Sequence, residues 1–300
     1  MNRKVTLLYI SLACVLSLQA QTRQQMGGVY YAYPEGPSAK TGTFGKATYV
    51  MSDSLNVPQG FAPFYISHYG RHGSRWMPKD DRYVWICRHF EDESNLTPLG
   101  LQVKGMLQRV WENARGNGGK LSKLGALQHQ GIAHRMFERY PQIFVAGNAV
   151  KARSSVVDRC AKSMLAFTSE LHTLQPGLNL DVKTDSADMA WVAYVSPEIK
   201  ALENRTHVQA YVSPRRFLLQ LFKDVSKVDE PLKLMTEMHT VASSIQDVGL
   251  NFPTYPQDIE DGLNGLFTDE EFRAIYDANN RRMTINNGND PTNESIPARC

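Results

Sequence analysis

Phe61-Ala62-Pro63-Phe64-Tyr65-Ile66-Ser67-His68-Tyr69, running into Gly70-Arg71-His72-Gly73-Ser74-Arg75, is the stretch on which the reading of this chain turns. Its first part is aromatic and apolar, has the length of a strand and stops at a glycine. That pattern predicts a buried strand feeding a glycine-punctuated loop. Open α/β sheets place their ligands at the carboxyl ends of strands. Gly70 and Gly73 are expected to give the loop backbone conformations closed to other residues, so that it can wrap a small anion. Arg71 and Arg75 flank His72, and guanidinium forks hold phosphate oxygens bidentately. Two adjacent cations also lower the imidazole pKa and keep a neutral ring nitrogen available for in-line attack. His68 and His72 would share a face only in a helix, which Gly70 argues against, so no metal pair is expected there.

Downstream of this loop, Thr97-Pro98 has the form of a helix start, with Thr97 as N-cap and Pro98 in the first helical position. Leu99, Val103, Met106, Val110 and Trp111 supply its apolar stripe, and Gly116 stops it. A second helix is predicted over 121–140, ended by Pro141. Val150-Lys151-Ala152-Arg153 alternates like a strand end. Ser155 with Asp158 resembles a capping box. Val157, Cys160, Met164, Phe167 and Leu171 then follow at helical spacing. The order strand, helix, helix, strand, helix predicts an α/β layer fold. Beyond residue 181 the pattern is mainly helical, with Met235, Met238, Val241 and Ile245 as a core stripe.

The chain has 300 residues, 42% hydrophobic and 21% charged, which suits a soluble globular protein with a sizeable core. Met1-Asn2-Arg3-Lys4, the apolar run Val5 to Leu18 and the small Ala20 have the three-part layout of a secretory signal peptide. Removing residues 1–20 would leave 31 basic against 30 acidic residues, a formal charge of +1 in place of +3. No basic excess then argues for nucleic acid, and any bound anion must be held by local arginines. The run is also short for a membrane span. Cys87, Cys160 and Cys300 would remain; a Cys87–Cys160 bridge is one open arrangement. Asn95, Asn204 and Asn293 each begin a glycosylation sequon.

His-Tyr-Gly-Arg-His-Gly-Ser-Arg at 68–75 resembles the nucleophile motif of the histidine acid phosphatases, the branch of the histidine phosphatase superfamily that includes phytases. It is most similar to the multiple inositol polyphosphate phosphatases, although Pro78 stands one residue later than in the family pattern. Lys151-Ala152-Arg153-Ser154-Ser155, then Asp158-Arg159-Cys160 and Ser163, is similar to a second family stretch. The resemblance implies a central, mostly parallel sheet flanked by helices, with a helical cap region. It implies His72 as the nucleophile that takes the phosphoryl group, and Arg71, Arg75 and Arg153 as phosphate-binding residues. Arg159 is read as structural. No metal or organic cofactor is implied, and the partner is a small phosphomonoester, inositol phosphates by resemblance, acted on outside the cytoplasm (periplasmic or secreted).

The family's proton donor is not matched. Its His-Asp or His-Ala-Glu motif occurs nowhere in these 300 residues, where the eight histidines are followed by Tyr, Gly, Phe, Gln, Arg, Thr, Val and Thr. The expectation is a chain that stops before that motif and before the last sheet elements. Its segments are a signal peptide over 1–20, a lead-in over 21–57, a phosphatase core over 58–180, a helical cap over 181–277 and a return to the core over 278–300. A non-catalytic phosphate-ester binder is the alternative reading.

Overall fold

The computed structural model describes residues 59–192 and 210–287, with side chains described as far as residue 281. The signal-peptide and lead-in segments, Cys300 and the sequons at Asn204 and Asn293 lie outside the described residues. Helices dominate: α1 (Asp80–Arg88), α2 (Pro98–Ala114), α3 (Lys123–Arg139), α4 (Asp158–Leu174), the short α5 (Met189–Val192), α6 (Arg215–Leu221), α7 (Pro231–Val248), α8 (Gln257–Asn264) and α9 (Asp269–Asn287). Strand β1 (Ala149–Ser154) pairs in parallel with β2 (Asn179–Thr184), Lys151 opposite Asp181 and Arg153 opposite Lys183. Two parallel strands need a crossover connection, which α4 supplies. Among the described residues no helix is long and apolar enough to cross a membrane.

Local signals account for most of these elements. Thr97 caps α2, its Oγ1 accepting from Gly100 N at 3.0 Å, with Pro98 at N1. The buried face of α2 is Gly100, Val103, Leu107, Val110 and Ala114, so the stripe is rotated from the expected one and Leu99 is exposed. Helix α4 starts at Asp158 with Val157 in the N-cap position and no side-chain cap. The expected capping box therefore does not form. Ser155 is buried just beyond the strand end, where its carbonyl accepts from Ser154 Oγ, and Asp158 pairs instead with Lys162 one turn on. Cys160 and Cys87 are both free thiols. The amide of Asn95 is committed to Asp224, donating to its carbonyl and accepting from its N–H, so the first sequon is tied down inside the fold.

Two apolar clusters result. The larger gathers Trp76 and Met77 with α1, α2 and α6 to α9; Met235, Met238, Val241 and Ile245 are all fully buried in it. Each such side chain contributes roughly 1.5–3 kcal/mol through burial. The smaller comprises Ala133, Phe144, Leu171 and Leu178, between the packed helices α3 and α4 and the sheet, with Ile66 against it. The segment from Ile66 to Trp76 thus runs from one core to the other, carrying the Arg-His-Gly-Ser-Arg loop between them.

The aromatic run 61–69 is not the buried strand its composition predicts. It forms no strand, and Phe61, Phe64, Tyr65 and Tyr69 are 75%, 93%, 72% and 81% exposed. A strand exists only through its partners, and among the described residues none pairs with this run.

Candidate active site

The loop 71–75 is held through its backbone by α3, α4 and the 120–122 segment. His129 of α3 lies with Nε2 3.0 Å from the Arg71 carbonyl; since a carbonyl only accepts, Nε2 carries the proton. Gly73 N donates to Ser163 Oγ of α4 at 3.1 Å, and Ser74 N donates to Gln128 Oε1 of α3 at 2.8 Å. The Ser74 carbonyl accepts from Ser122 N and Oγ at 2.9 and 3.0 Å. Trp76 N donates to Lys120 O at 3.1 Å, closing an isolated antiparallel bridge between Arg75 and Leu121. Ser74 Oγ also donates to the carboxylate oxygen Oδ1 of Asp247, at the end of α7.

Glycine matters here for approach rather than for backbone angle. Gly70 and Gly73 are not among the positive-φ residues, contrary to the sequence expectation. A Cβ on Gly73 would instead meet Gly125 O at 2.3 Å, and one on Gly125 would meet Ser74 O at 2.2 Å. The two glycines let the loop and the first turn of α3 lie backbone against backbone.

His72 is the half-buried centre of this loop. Its Nδ1 is 2.8 Å from the Gly73 carbonyl, so Nδ1 carries the proton and, in the neutral ring, Nε2 keeps its lone pair. The imidazole pKa is pushed down from 6.5 to about 4, first by burial and then by the charges of Arg159, Arg71 and Arg75; the Gly73 bond works in the opposite sense. The expected cause, two flanking arginines, is therefore present but secondary to desolvation. His68 is placed apart, its ring stacked on Phe167 at 5.6 Å.

The arginines fall into two groups. Arg71 and Arg75 act on His72. The guanidinium of Arg153 donates to Asp181 through both nitrogens NH1 and NH2, at 2.8 Å to O and 2.5 Å to Oδ2, and lies 3.5 Å from Asp188 Oδ2. Arg159 supplies the leading charge on His72, and its buried Nε has no hydrogen-bond partner. Ser163, one turn beyond Arg159 on the same face of α4, bonds Gly73 N and so aims that face at the loop.

No protein-family model matches the chain, and no curated protein matches it by sequence. Solved structures do. The multiple inositol polyphosphate phosphatase of Bifidobacterium longum, in complex with inositol hexasulfate, superposes with a TM-score of 0.54 at 14% identity, over 86% of this chain and 70% of that one. Its complex with phosphate gives 0.55 at 15% identity, over 86% and 68%. The phytase from D. castellii gives 0.56 at 12% identity, over 88% and 57%. The chain has the fold of these phosphatases. Within that phosphatase fold the structure brings together Arg71, His72 and Arg75 as expected, adds Arg159, and pairs Arg153 with β2. Sequence reasoning had not singled out Gln128, His129 or Asp247. Gln128 and His129 are the contacts α3 offers the loop, and only their adjacency on a helix following the motif hinted at them.

Proposed function

We propose that this protein is an exported phosphomonoesterase that works through a phosphohistidine. The observation that carries the reading is the His72 tautomer: Nδ1–H bonded to Gly73 O leaves Nε2 as a neutral nucleophile amid Arg71, Arg75 and Arg159. In the first step Nε2 bonds to phosphorus as the P–O ester bond breaks, and the alcohol oxygen leaves with the electron pair. In the second, water attacks phosphorus, the P–N bond breaks and inorganic phosphate departs. The guanidinium groups neutralise the non-bridging oxygens throughout. Arg159, with an unpartnered buried nitrogen, takes the third phosphate-holding role that the resemblance gave to Arg153.

Inositol polyphosphates are the proposed substrate class, because the similar solved structures are an inositol polyphosphate phosphatase and a phytase. Export rests on the sequence of residues 1–20. The chain carries no His-Asp or His-Ala-Glu motif to protonate the leaving oxygen. Esters with a good leaving group, such as p-nitrophenyl phosphate, should therefore label His72 faster than inositol phosphates do.

Brief exposure to a radiolabelled phosphomonoester followed by an alkaline quench tests this directly. Acid-labile label is expected on the wild-type protein and none on His72→Ala. Label that persists in His72→Ala refutes the nucleophile, and phosphate binding without any label identifies a binder instead.

A further inference from the structure

Asp247 is fully buried at the last turn of α7, in the helical region, yet it touches the loop through Ser74. Its Oδ2 has no hydrogen-bond partner. An ionised carboxylate in such a place would be costly unless paired. The groups that face it are Ser74 and Arg75 from the loop and Tyr255, whose hydroxyl donates to Glu260 at 2.8 Å. Tyr255 in turn packs on the backbone that follows α7, within 2.3 Å of where a Gly249 Cβ would stand. None of these is an ion pair with Asp247, so its carboxyl acts as a short, oriented polar group rather than as a counter-ion.

We infer that Asp247 is a positioning residue for the phosphate loop: its carboxyl clamps Ser74 Oγ, and through it sets His72 and Arg75 relative to the helical region. Hydrogen bonds from α3, α4 and the 120–122 segment also hold the loop. Through Ser74, Asp247 ties α7 to the loop and so links the helical region to the nucleophile. Burial raises the Asp247 pKa well above 3.8, with the Ser74 bond and the Arg75 charge opposing. An amide oxygen can accept the Ser74 bond as Oδ1 does, so Asp247→Asn is the conservative replacement. The inference deepens the phosphatase reading and rests on it for its catalytic consequence.

The experiment compares Ser74→Ala, Asp247→Ala, Asp247→Asn and the double variant Ser74→Ala/Asp247→Ala. Two readouts are used: amide hydrogen exchange at Gly73 and Ser74, and the rate of His72 labelling by p-nitrophenyl phosphate. Ser74→Ala and Asp247→Ala should each speed exchange by roughly 3- to 10-fold, as expected for one lost hydrogen bond. Both should slow labelling, the double variant should be no worse than either single one, and Asp247→Asn should restore wild-type behaviour. Unchanged exchange in Ser74→Ala, or single effects that simply add, overturns the clamp. An Asp247→Asn as damaged as Asp247→Ala overturns the clamp, because the amide oxygen still offers Ser74 an acceptor. A wild-type protein that takes no label refutes the phosphatase reading alone, because the exchange data still decide the clamp. Ser74→Ala removes little volume and keeps the test decisive if Asp247→Ala fails to fold.

Discussion

Replacing Arg159 by Gln tests the phosphate-holding role proposed for it against the one the resemblance gives Arg153. The guanidinium lies on the face of α4 that contacts the loop, and its charge outranks those of Arg71 and Arg75 in lowering the His72 pKa. On the proposed reading, removing it takes one charge-assisted contact from a bound phosphate, which corresponds to roughly 1.5–3 kcal/mol. Phosphate affinity should therefore fall about 10- to 150-fold. The His72 pKa should rise from about 4 yet stay below 6.5, because burial is the larger cause and remains. Titration calorimetry with inorganic phosphate measures the first effect, and the imidazole proton resonances of His72 measure the second.

Arg153→Gln is the paired control. It breaks contacts to Asp181 and Asp188, whose side chains are 45% and 29% exposed, and such partly exposed pairs contribute up to about 1 kcal/mol. Phosphate affinity should hold while the melting temperature drops slightly. The reverse pattern, with Arg153→Gln losing phosphate and Arg159→Gln retaining it, refutes the assignment of the third arginine to α4.

Two further predictions follow from the packing. Gly125→Ala places a methyl group 2.2 Å from the Ser74 carbonyl, so either the loop or α3 must shift; a cost of about 1–3 kcal/mol and loss of His72 labelling are expected. Wild-type urea stability together with wild-type labelling would show that the backbone contact is dispensable. His239 is 3% exposed among Phe267 and Phe272, its Nε2 unpartnered, and burial holds its pKa down at about 4. The unfolded chain therefore binds a proton near pH 6.5 that the folded protein refuses until about pH 4. Stability from this group is lost as pH falls through that window, by up to about 3 kcal/mol. Urea titrations of His239→Phe across the window should give a shallower slope than wild type, and an identical slope would exclude His239 as the source.

What could be read from sequence was what local physics decides. The Thr97-Pro98 start depends on one side chain and its own next turn. The Met235 to Ile245 stripe depends on helical spacing. Arg71, His72 and Arg75 sit within five residues, so any tight loop brings them together. The misread aromatic run depends on partners far along the chain. The aromatic run at 61–69 has strand composition, but hydrogen-bonding partners make a strand and composition does not. Arg153 was placed at a strand's carboxyl end, which is correct. Its contact with Asp181 follows from register, which sequence alone does not give: Lys151 stands opposite Asp181, and with a period of two Arg153 shares that face.

Arg159 is the instructive case, since the signal for it was present in the sequence but carried no direction. Arg159 and Ser163 are four apart and must share a face of α4. Only the Gly73–Ser163 bond, spanning 90 residues, fixes that face toward the loop. Once it is fixed, Arg159 cannot be an ordinary surface arginine, because its Nε is buried without a protein partner beside a neutral histidine. A buried guanidinium nitrogen left unsatisfied by the protein is costly unless an anion comes to it. On the proposed reading the same α4 face serves both ends of the site: it holds the loop backbone through Ser163, and Arg159 is the donor proposed for the incoming phosphate.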